Sequence, residues 1–209
     1  MKAVVKICGM RDADNIRAVE ELAKPDLMGF ICWERSPRNV AQVPAYLPRC
    51  PRVGVFVNAS LYFILKQTEA FQFSYIQLHG SESPQFCKEI REQSGCKVIK
   101  AVSISSAEDL ASASRYEGFA DLLLFDTKCT TVGGSGRKFS WDILDSYRSG
   151  LPFLLSGGIG PEDAGLLRQF RHPLCIGFDI NSCFEVAPGI KDTDKTSTFI
   201  NTIRGHEPN

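Results

Sequence analysis

The sequence predicts a single (β/α)8 barrel, the TIM-barrel fold, extending over residues 1–209. Eight short runs of strand-like composition alternate with helical patterns along the whole chain. Most of these runs are continuously apolar, which is typical of parallel strands covered on both faces. Polar residues follow the runs at the end where such barrels carry their sites. The main alternative, a doubly wound open sheet, usually has fewer strands and one switch-point crevice.

The predicted elements follow one another without a long insertion. The predicted strands are residues 2–8, 27–33, 52–57, 75–79, 97–102, 121–126, 152–156 and 174–179. One helical pattern begins at Asp12 with acidic residues and continues until Pro25, and another begins at Ser83-Pro84, with proline at the first helical position. The remaining helical patterns are residues 40–47, which contain Pro44, and residues 61–71, 107–116, 141–147, 161–170 and 191–203.

Composition restricts the possible partners. The 24 basic and 24 acidic residues cancel, so no overall field would draw the protein to nucleic acid or to an anionic membrane. Any anionic ligand must therefore be held by local groups, and a small molecule is the expected partner.

The first residues lack a signal-peptide pattern and no apolar run approaches membrane-spanning length, so we expect a cytoplasmic location. A monomer is the expected state, and a dimer is the alternative.

The cysteines and histidines are too dispersed for a metal site. Eight cysteines and three histidines occur without any CxxC or HxxxH spacing. Free thiols in a reducing compartment therefore account for the cysteines better than disulfides or metal ligands do. We therefore expect no metal ion.

The end of the first strand carries a lysine and a cysteine on the same face. Strand alternation places Lys6 and Cys8 together, and a nearby ammonium favours a thiolate. Asp126 and Asp179 end the sixth and eighth strands with the parity to face inward as counter-ions for Lys6. A thiol base and a carboxylic acid across a barrel mouth suit proton transfer on a sugar phosphate. Alternatively, Cys8 is an apolar filler and Asp126 a solvated carboxylate.

Two glycine-containing loops are typical of a phosphate site. Ser156-Gly157-Gly158 leaves the seventh strand and leads to a helix near Pro161, so backbone N–H groups can approach an anion closely. Residues 177–182 include the end of the eighth strand, and the residues after it can begin a short extra helix aimed at the same place. Many barrels bind phosphate with the loops after strands seven and eight. The alternative for the glycine pair is a simple tight turn.

Other strand-end residues have open roles. The glycine-rich segment 127–138, with flanking cations, is either a lid that closes over an anionic substrate or a surface loop. Arg38 is either a surface arginine or a guanidinium aimed at a carboxylate. His79 is interpreted as a polar wall residue rather than a catalytic one. Asn58 either positions a substrate or bonds to its own loop.

Taken together, the motifs resemble the phosphoribosylanthranilate isomerase family of tryptophan biosynthesis over essentially the whole chain. They are Lys6-Ile7-Cys8-Gly9, Ser36-Pro37-Arg38, Val53-Gly54-Val55-Phe56-Val57-Asn58, Gln77-Leu78-His79-Gly80, Phe125-Asp126-Thr127, Gly133-Gly134-Ser135-Gly136, Leu155-Ser156-Gly157-Gly158-Ile159, Gly177-Phe178-Asp179-Ile180-Asn181-Ser182, and the closing Glu185, Pro188-Gly189 and Lys191-Asp192. The resemblance implies a barrel of the ribulose-phosphate-binding type. Cys32, Trp33, Phe178 and Cys183 depart from the family pattern, but none of them replaces a proposed catalytic group.

The resemblance implies an Amadori rearrangement of N-(5-phosphoribosyl)anthranilate without a cofactor. It assigns the base to Cys8 and the acid to Asp126, and gives Arg38 the anthranilate carboxylate. It places the phosphate against backbone amides around a set of five residues, Gly157, Gly158, Ile180, Asn181 and Ser182. Lys6 and Asp179 are expected at the substrate, Asp179 either on the ribose hydroxyls or paired with Lys6.

Two other functions remain open. The histidine-pathway Amadori isomerase shares the barrel, but that family has an aspartate at the end of strand one and two similar half-barrels, and no duplication is visible here. A non-catalytic phosphosugar-binding barrel is the alternative from a different class.

Overall fold

The computed structural model describes residues 3–127 and 141–205, and in them eight parallel strands close into a barrel in chain order. The strands are β1 (Val4–Ile7), β2 (Leu27–Ile31), β3 (Arg52–Phe56), β4 (Tyr75–Leu78), β5 (Lys97–Ile104), β6 (Leu122–Thr127), β7 (Phe153–Ser156) and β8 (Cys175–Ile180). β8 pairs with β1 and so closes the barrel. The predicted fold class is confirmed, and the predicted strands differ from the observed ones only at their ends.

Helices cover the outside of the barrel. They are α1 (Ala13–Ala23), α2 (Leu61–Phe71), α3 (Pro84–Ser94), α4 (Ala107–Ala113), α5 (Ala164–Gln169) and α6 (Thr193–Arg204). Side-chain caps fix where five of them begin, because one N-cap side chain in each accepts a bond from a backbone N–H in the first turn: Asp12, Ser60, Ser83, Ser106 and Asp192. No helix among the described residues is long and apolar enough to cross a membrane.

The structure corrects several helix predictions. The predicted helix at 40–47 is wrong: the fully described segment 32–51 contains turns and one bridge between Ile31 and Asn39, but no helix. Pro44 lacks the N–H that a helix interior needs. The patterns at 107–116, 141–147 and 161–170 are partly or wholly 3₁₀ helix, with 3₁₀ segments at Ser114–Tyr116, Trp141–Ser146 and Pro161–Asp163.

The predicted short helix after β8 is a single 3₁₀ turn, Ser182–Phe184. A short antiparallel pair that the sequence did not predict, β9 (Glu185–Ala187) and β10 (Ile190–Lys191), follows it.

The core has an inner and an outer layer, and alternate strand residues belong to different layers. The inner cluster contains Cys8, Leu27, Val53, Val55, Ile99, Ala101, Leu122, Leu124 and Leu154. The outer cluster lies between barrel and helices; there the rings of Phe71 and Phe73 stack with centroids 5.1 Å apart. Because Cys8 belongs to the inner layer, Lys6 points into the barrel too.

Candidate active site

A cavity of about 200 Å³ opens at the carboxyl ends of the strands. Its lining combines apolar strand residues with polar groups from β1, β4, β6, β7, β8 and their loops: Cys8, Ile31, Val55, Gln77, His79, Asp126, Ser156, Gly157, Gly158, Ile159, Asp179, Asn181, Ser182 and Cys183. The predicted base, the predicted acid and both predicted phosphate loops therefore border the same space.

A buried ion pair lies beneath this cavity. Lys6 and Asp179 are direct partners in the β1–β8 register, and the Lys6 Nζ lies 2.7 Å from Asp179 Oδ1. Lys6 is fully buried and Asp179 is 6% exposed. The Ser156 hydroxyl donates to the other Asp179 oxygen over 3.3 Å. Asp179 is therefore the counter-ion of Lys6, as one of the two sequence alternatives predicted.

The thiol of Cys8 has a raised pKa. Burial raises it, and the charges of Lys6 and Lys191 lower it by less. Burial by itself would lower the pKa of Lys6, but the interactions of Lys6 with Asp179 and Cys8 together outweigh burial, and the pKa of Lys6 is raised. Lys6 therefore lowers the pKa of Cys8, as predicted, but the pKa is still raised overall. The main reason is burial of the thiol, and the negative charge of Asp179 raises the pKa of Cys8 further.

Asp126 faces His79 rather than Lys6. The Nε2 of His79 lies 3.5 Å from Asp126 Oδ2, and the Gln77 amide lies 2.9 Å from His79 Nδ1. If this amide donates to Nδ1, the ring hydrogen sits on Nε2 and points to Asp126. The side chain of Asp126 is 36% exposed, so it can reach a ligand in the cavity. The expectation that Asp126 faces Lys6 as a counter-ion is therefore wrong.

The two predicted phosphate loops meet at one side of the cavity. Gly157 and Gly158 have φ of 101° and 62°, which glycine adopts without strain. The 3₁₀ turn Ser182–Phe184 begins beside them, and the first N–H groups of such a turn have no acceptor within it. Ile180 is buried and does not line the cavity; its carbonyl accepts from the Cys8 amide over 2.9 Å.

Arg38 is held by a carboxylate at the rim and is not among the described residues that line the cavity. Its Nε lies 2.9 and 3.0 Å from the two carboxylate oxygens of Glu185, and its Nη2 lies 2.6 Å from Oε2. Glu185 also accepts from the fully buried Lys191 over 2.6 Å.

Sequence reasoning did not give Glu185 or Lys191 a role, and it did not single out Gln77. A polar residue at an inward strand position was the available signal for Gln77.

The proposed lid, residues 127–138, lies outside the described residues except for strand residue Thr127. Among residues 3–127 and 141–205, no group of three histidine, cysteine, aspartate or glutamate side chains could hold a metal ion. Seven of the eight cysteines are described, and all seven are free.

Fold and cavity together define a (β/α)8-barrel enzyme with candidate acid and base groups beside a phosphate-type cradle. A family model described as N-(5'-phosphoribosyl)anthranilate (PRA) isomerase matches residues 5–202. The protein is 48% identical to N-(5'-phosphoribosyl)anthranilate isomerase of Phocaeicola vulgatus, over 96% of this chain and 98% of that one. The chain belongs to the N-(5'-phosphoribosyl)anthranilate isomerase family.

Solved structures agree with this assignment. Phosphoribosyl anthranilate isomerase from Thermotoga maritima superimposes with a TM-score of 0.80 at 32% identity, covering 97% of this chain and 99% of that one. A phosphoribosyl anthranilate isomerase in complex with reduced 1-(o-carboxyphenylamino)-1-deoxyribulose 5-phosphate gives a TM-score of 0.78 at 29% identity, with the same coverage.

Proposed function

We propose that the protein converts N-(5-phosphoribosyl)anthranilate to 1-(2-carboxyphenylamino)-1-deoxyribulose 5-phosphate, an Amadori rearrangement in tryptophan biosynthesis. The observation that carries the proposal is the placement of Cys8 and Asp126 in one cavity with both phosphate-type loops. Membership of the isomerase family supports it independently.

The proposed steps are two proton transfers and a tautomerisation. Asp126 gives a proton to the furanose ring oxygen, the bond from that oxygen to C1 breaks, and the anthranilate nitrogen forms an iminium with C1. Cys8 then removes the proton from ribose C2, which neutralises the iminium and leaves an enolamine. The enolamine takes up a proton at C1, its C2 hydroxyl loses a proton, and the product is the ketone. Each transfer needs a side chain that borders the substrate, and both candidates line the cavity.

The remaining groups bind and orient the substrate. Backbone amides around Gly157, Gly158 and the 180–182 segment hold the phosphate, since the glycines let the backbone approach and the 3₁₀ turn offers N–H groups. Asp179 lines the cavity, and we assign its carboxylate to the ribose hydroxyls. Lys6 is fully buried beneath it, so we assign Lys6 a role through Asp179 rather than direct substrate contact.

The anthranilate carboxylate goes to Arg38. This guanidinium stands at the rim and keeps donors that Glu185 does not occupy. A planar guanidinium suits a planar carboxylate.

A turnover assay with freshly generated substrate tests the proposal by the loss of anthranilate-type fluorescence. Cys8→Ser and Asp126→Asn should each lose at least about 100-fold in turnover, the lower range for a general acid or base. Cys96→Ser is a matched control, because Cys96 is partly exposed just before β5 and outside the cavity. If both cavity variants kept wild-type turnover, the acid–base assignment would be wrong. Calorimetric binding of the phosphosugar without any turnover would favour a non-catalytic barrel instead.

Four predictions from the sequence stay predictions: a single domain over residues 1–209, a reaction without metal or organic cofactor, a cytoplasmic location and a monomeric state. Light scattering on the purified protein tests the monomeric state, and a mass of about twice that of the chain would contradict it. Activity that survives extensive chelation and dialysis would support a reaction without metal or organic cofactor.

A further inference from the structure

The carboxylate of Glu185 holds one edge of the Arg38 guanidinium. Three contacts of 2.6 to 3.0 Å join Arg38 Nε and Nη2 to both carboxylate oxygens. This is the side-on arrangement, in which the planar fork and the carboxylate match. The pair is partly buried, with the Glu185 side chain 5% exposed and that of Arg38 20% exposed, so solvent screens it less than a surface pair.

The opposite end of Arg38 is left for a ligand. Within residues 3–127 and 141–205, no acceptor bonds to Arg38 Nη1, whereas Nε and Nη2 are engaged. The stem of the side chain lies over the end of β1, since a Cβ added at Gly9 would come within 2.9 Å of Arg38 Cδ. Gly9 directly follows Cys8, so the free end of the guanidinium stands close to the cavity.

The charge around Glu185 is not balanced. Its Oε1 accepts from Lys191 over 2.6 Å as well as from Arg38, so one carboxylate serves two cations. Burial alone would raise the pKa of Glu185, but its bonds from Arg38 and Lys191 hold that pKa below its usual value. Arg38, Glu185 and Lys191 together therefore carry one net positive charge, and an anionic ligand group at Arg38 would neutralise it.

We propose that Glu185 is a positioning residue that fixes Arg38 in the orientation in which its Nη1 end binds the substrate's carboxylate. The inference rests on the proposed function, because it takes the anthranilate carboxylate as the group that Arg38 binds. Glu185 does not touch the substrate; it acts through Arg38. Without Glu185 the long arginine side chain would sample other rotamers, and the ligand would have to bear the entropy of ordering it.

Glu185→Gln is the sharpest perturbation, because it keeps the shape and removes the charge. Both oxygens of Glu185 face donors, Oε1 facing Lys191 and Oε2 facing Arg38. Wherever the amide nitrogen of glutamine sits, it therefore meets donors and at least one bond is lost, because Oε1 also accepts from Arg38 Nε and from the Gly189 N–H. Glu185→Asp is the second variant. It keeps a counter-charge for Lys191 but is one methylene too short to hold the side-on pair.

The experiment compares two ligands in calorimetric binding. One is the reduced product, 1-(2-carboxyphenylamino)-1-deoxyribulose 5-phosphate with its ketone reduced, and the other is the same molecule without the aromatic carboxyl group. Glu185→Gln and Glu185→Asp should weaken the first ligand about tenfold, the effect of one lost charge-assisted bond, and leave the second within about twofold. Arg38→Ala should show the same selectivity more strongly.

Two controls separate positioning from general damage. Lys191→Met keeps the Arg38–Glu185 pair, so it should keep the preference for the carboxylate-bearing ligand. Glu92→Gln makes the same substitution in an exposed pair with Lys88 and should change neither affinity. Equal weakening of both ligands in the Glu185 variants, or no weakening of either, would overturn the inference. If Arg38→Ala also failed to discriminate, the carboxylate assignment in the proposed function would fall, and with it this inference.

Discussion

Replacing Lys6 by methionine removes one of the two opposite charges buried beneath the cavity. The ammonium lies 2.7 Å from Asp179 Oδ1, with the side chains 0% and 6% exposed. In the variant Asp179 keeps the Ser156 hydroxyl at 3.3 Å but loses its cation. A buried carboxylate without a counter-ion is unfavourable, because the interior solvates charge poorly.

The expected loss of stability is large. Removing one member of a buried ion pair costs about 3–5 kcal/mol. In a domain of this size each kcal/mol lowers the midpoint of thermal unfolding by about 2–4 °C, so we expect a fall of roughly 6–20 °C. Asp179→Asn, which strands the lysine instead, should lose a similar amount. The double variant carries neither charge and should recover most of the stability, since neutral replacements of buried pairs are often tolerated.

Thermal unfolding and turnover are measured on the same preparations. Together they distinguish a role of the Lys6–Asp179 pair in stability from a role in the reaction. The double variant should be stable but slow, because Asp179 no longer presents a carboxylate to the cavity. Lys100→Met is the matched control: this buried lysine pairs with Glu82 at 3.2 Å, on the outer face of β5. It should lose comparable stability yet keep most of its turnover below its unfolding range. Single variants that lose less than about 1 kcal/mol, or a double variant with wild-type turnover, would refute the reasoning.

Two other perturbations test the surroundings of Cys8. A Cβ at Gly29 would lie 3.0 Å from Cys8 Sγ and 3.2 Å from Lys6 Cε, so Gly29→Ala should lower kcat by displacing the thiol. Gly165→Ala is the control, because a Cβ there has nothing within 4 Å, and it should leave turnover unchanged. Unchanged turnover in Gly29→Ala would contradict the placement of Cys8. Burial raises the pKa of Cys8 above its ordinary value of 9.0, and the charge of Lys191 opposes that rise. Peptide mass spectrometry can follow the rate at which Cys8 is alkylated. This rate should increase with pH, with a midpoint above about 9. Lys191→Met should move this midpoint higher still, and a midpoint below the ordinary value would contradict the burial argument.

Strand alternation explains why much of the site was predictable from sequence. A period of two residues fixes which side chains face inward, and it placed Lys6, Cys8 and Asp179 correctly. It does not say which inward residue meets which around the barrel. Asp126 therefore could not be assigned to His79, since that contact depends on how strands β4 and β6 approach across the mouth.

The contact between Arg38 and Glu185 at the rim of the site could not be predicted from the sequence for a different reason. Arg38 and Glu185 are 147 residues apart, and they meet only because the segment after β8 folds back as β9 and β10 onto the loop after β2. No periodic pattern encodes that contact. The apolar pattern at residues 40–47 in this loop is compatible with a helix, but Pro44 excludes a helix there.

The central claim is that Cys8 removes the proton from ribose C2 during the rearrangement. Single-turnover reaction of substrate carrying deuterium at C2 tests it most directly, in the wild-type protein and in Cys8→Ser. We predict that deuterium slows the wild-type reaction and that Cys8→Ser binds the reduced product normally but loses at least about 100-fold in the single-turnover rate. A Cys8→Ser protein that rearranges the substrate at the wild-type rate would contradict the claim.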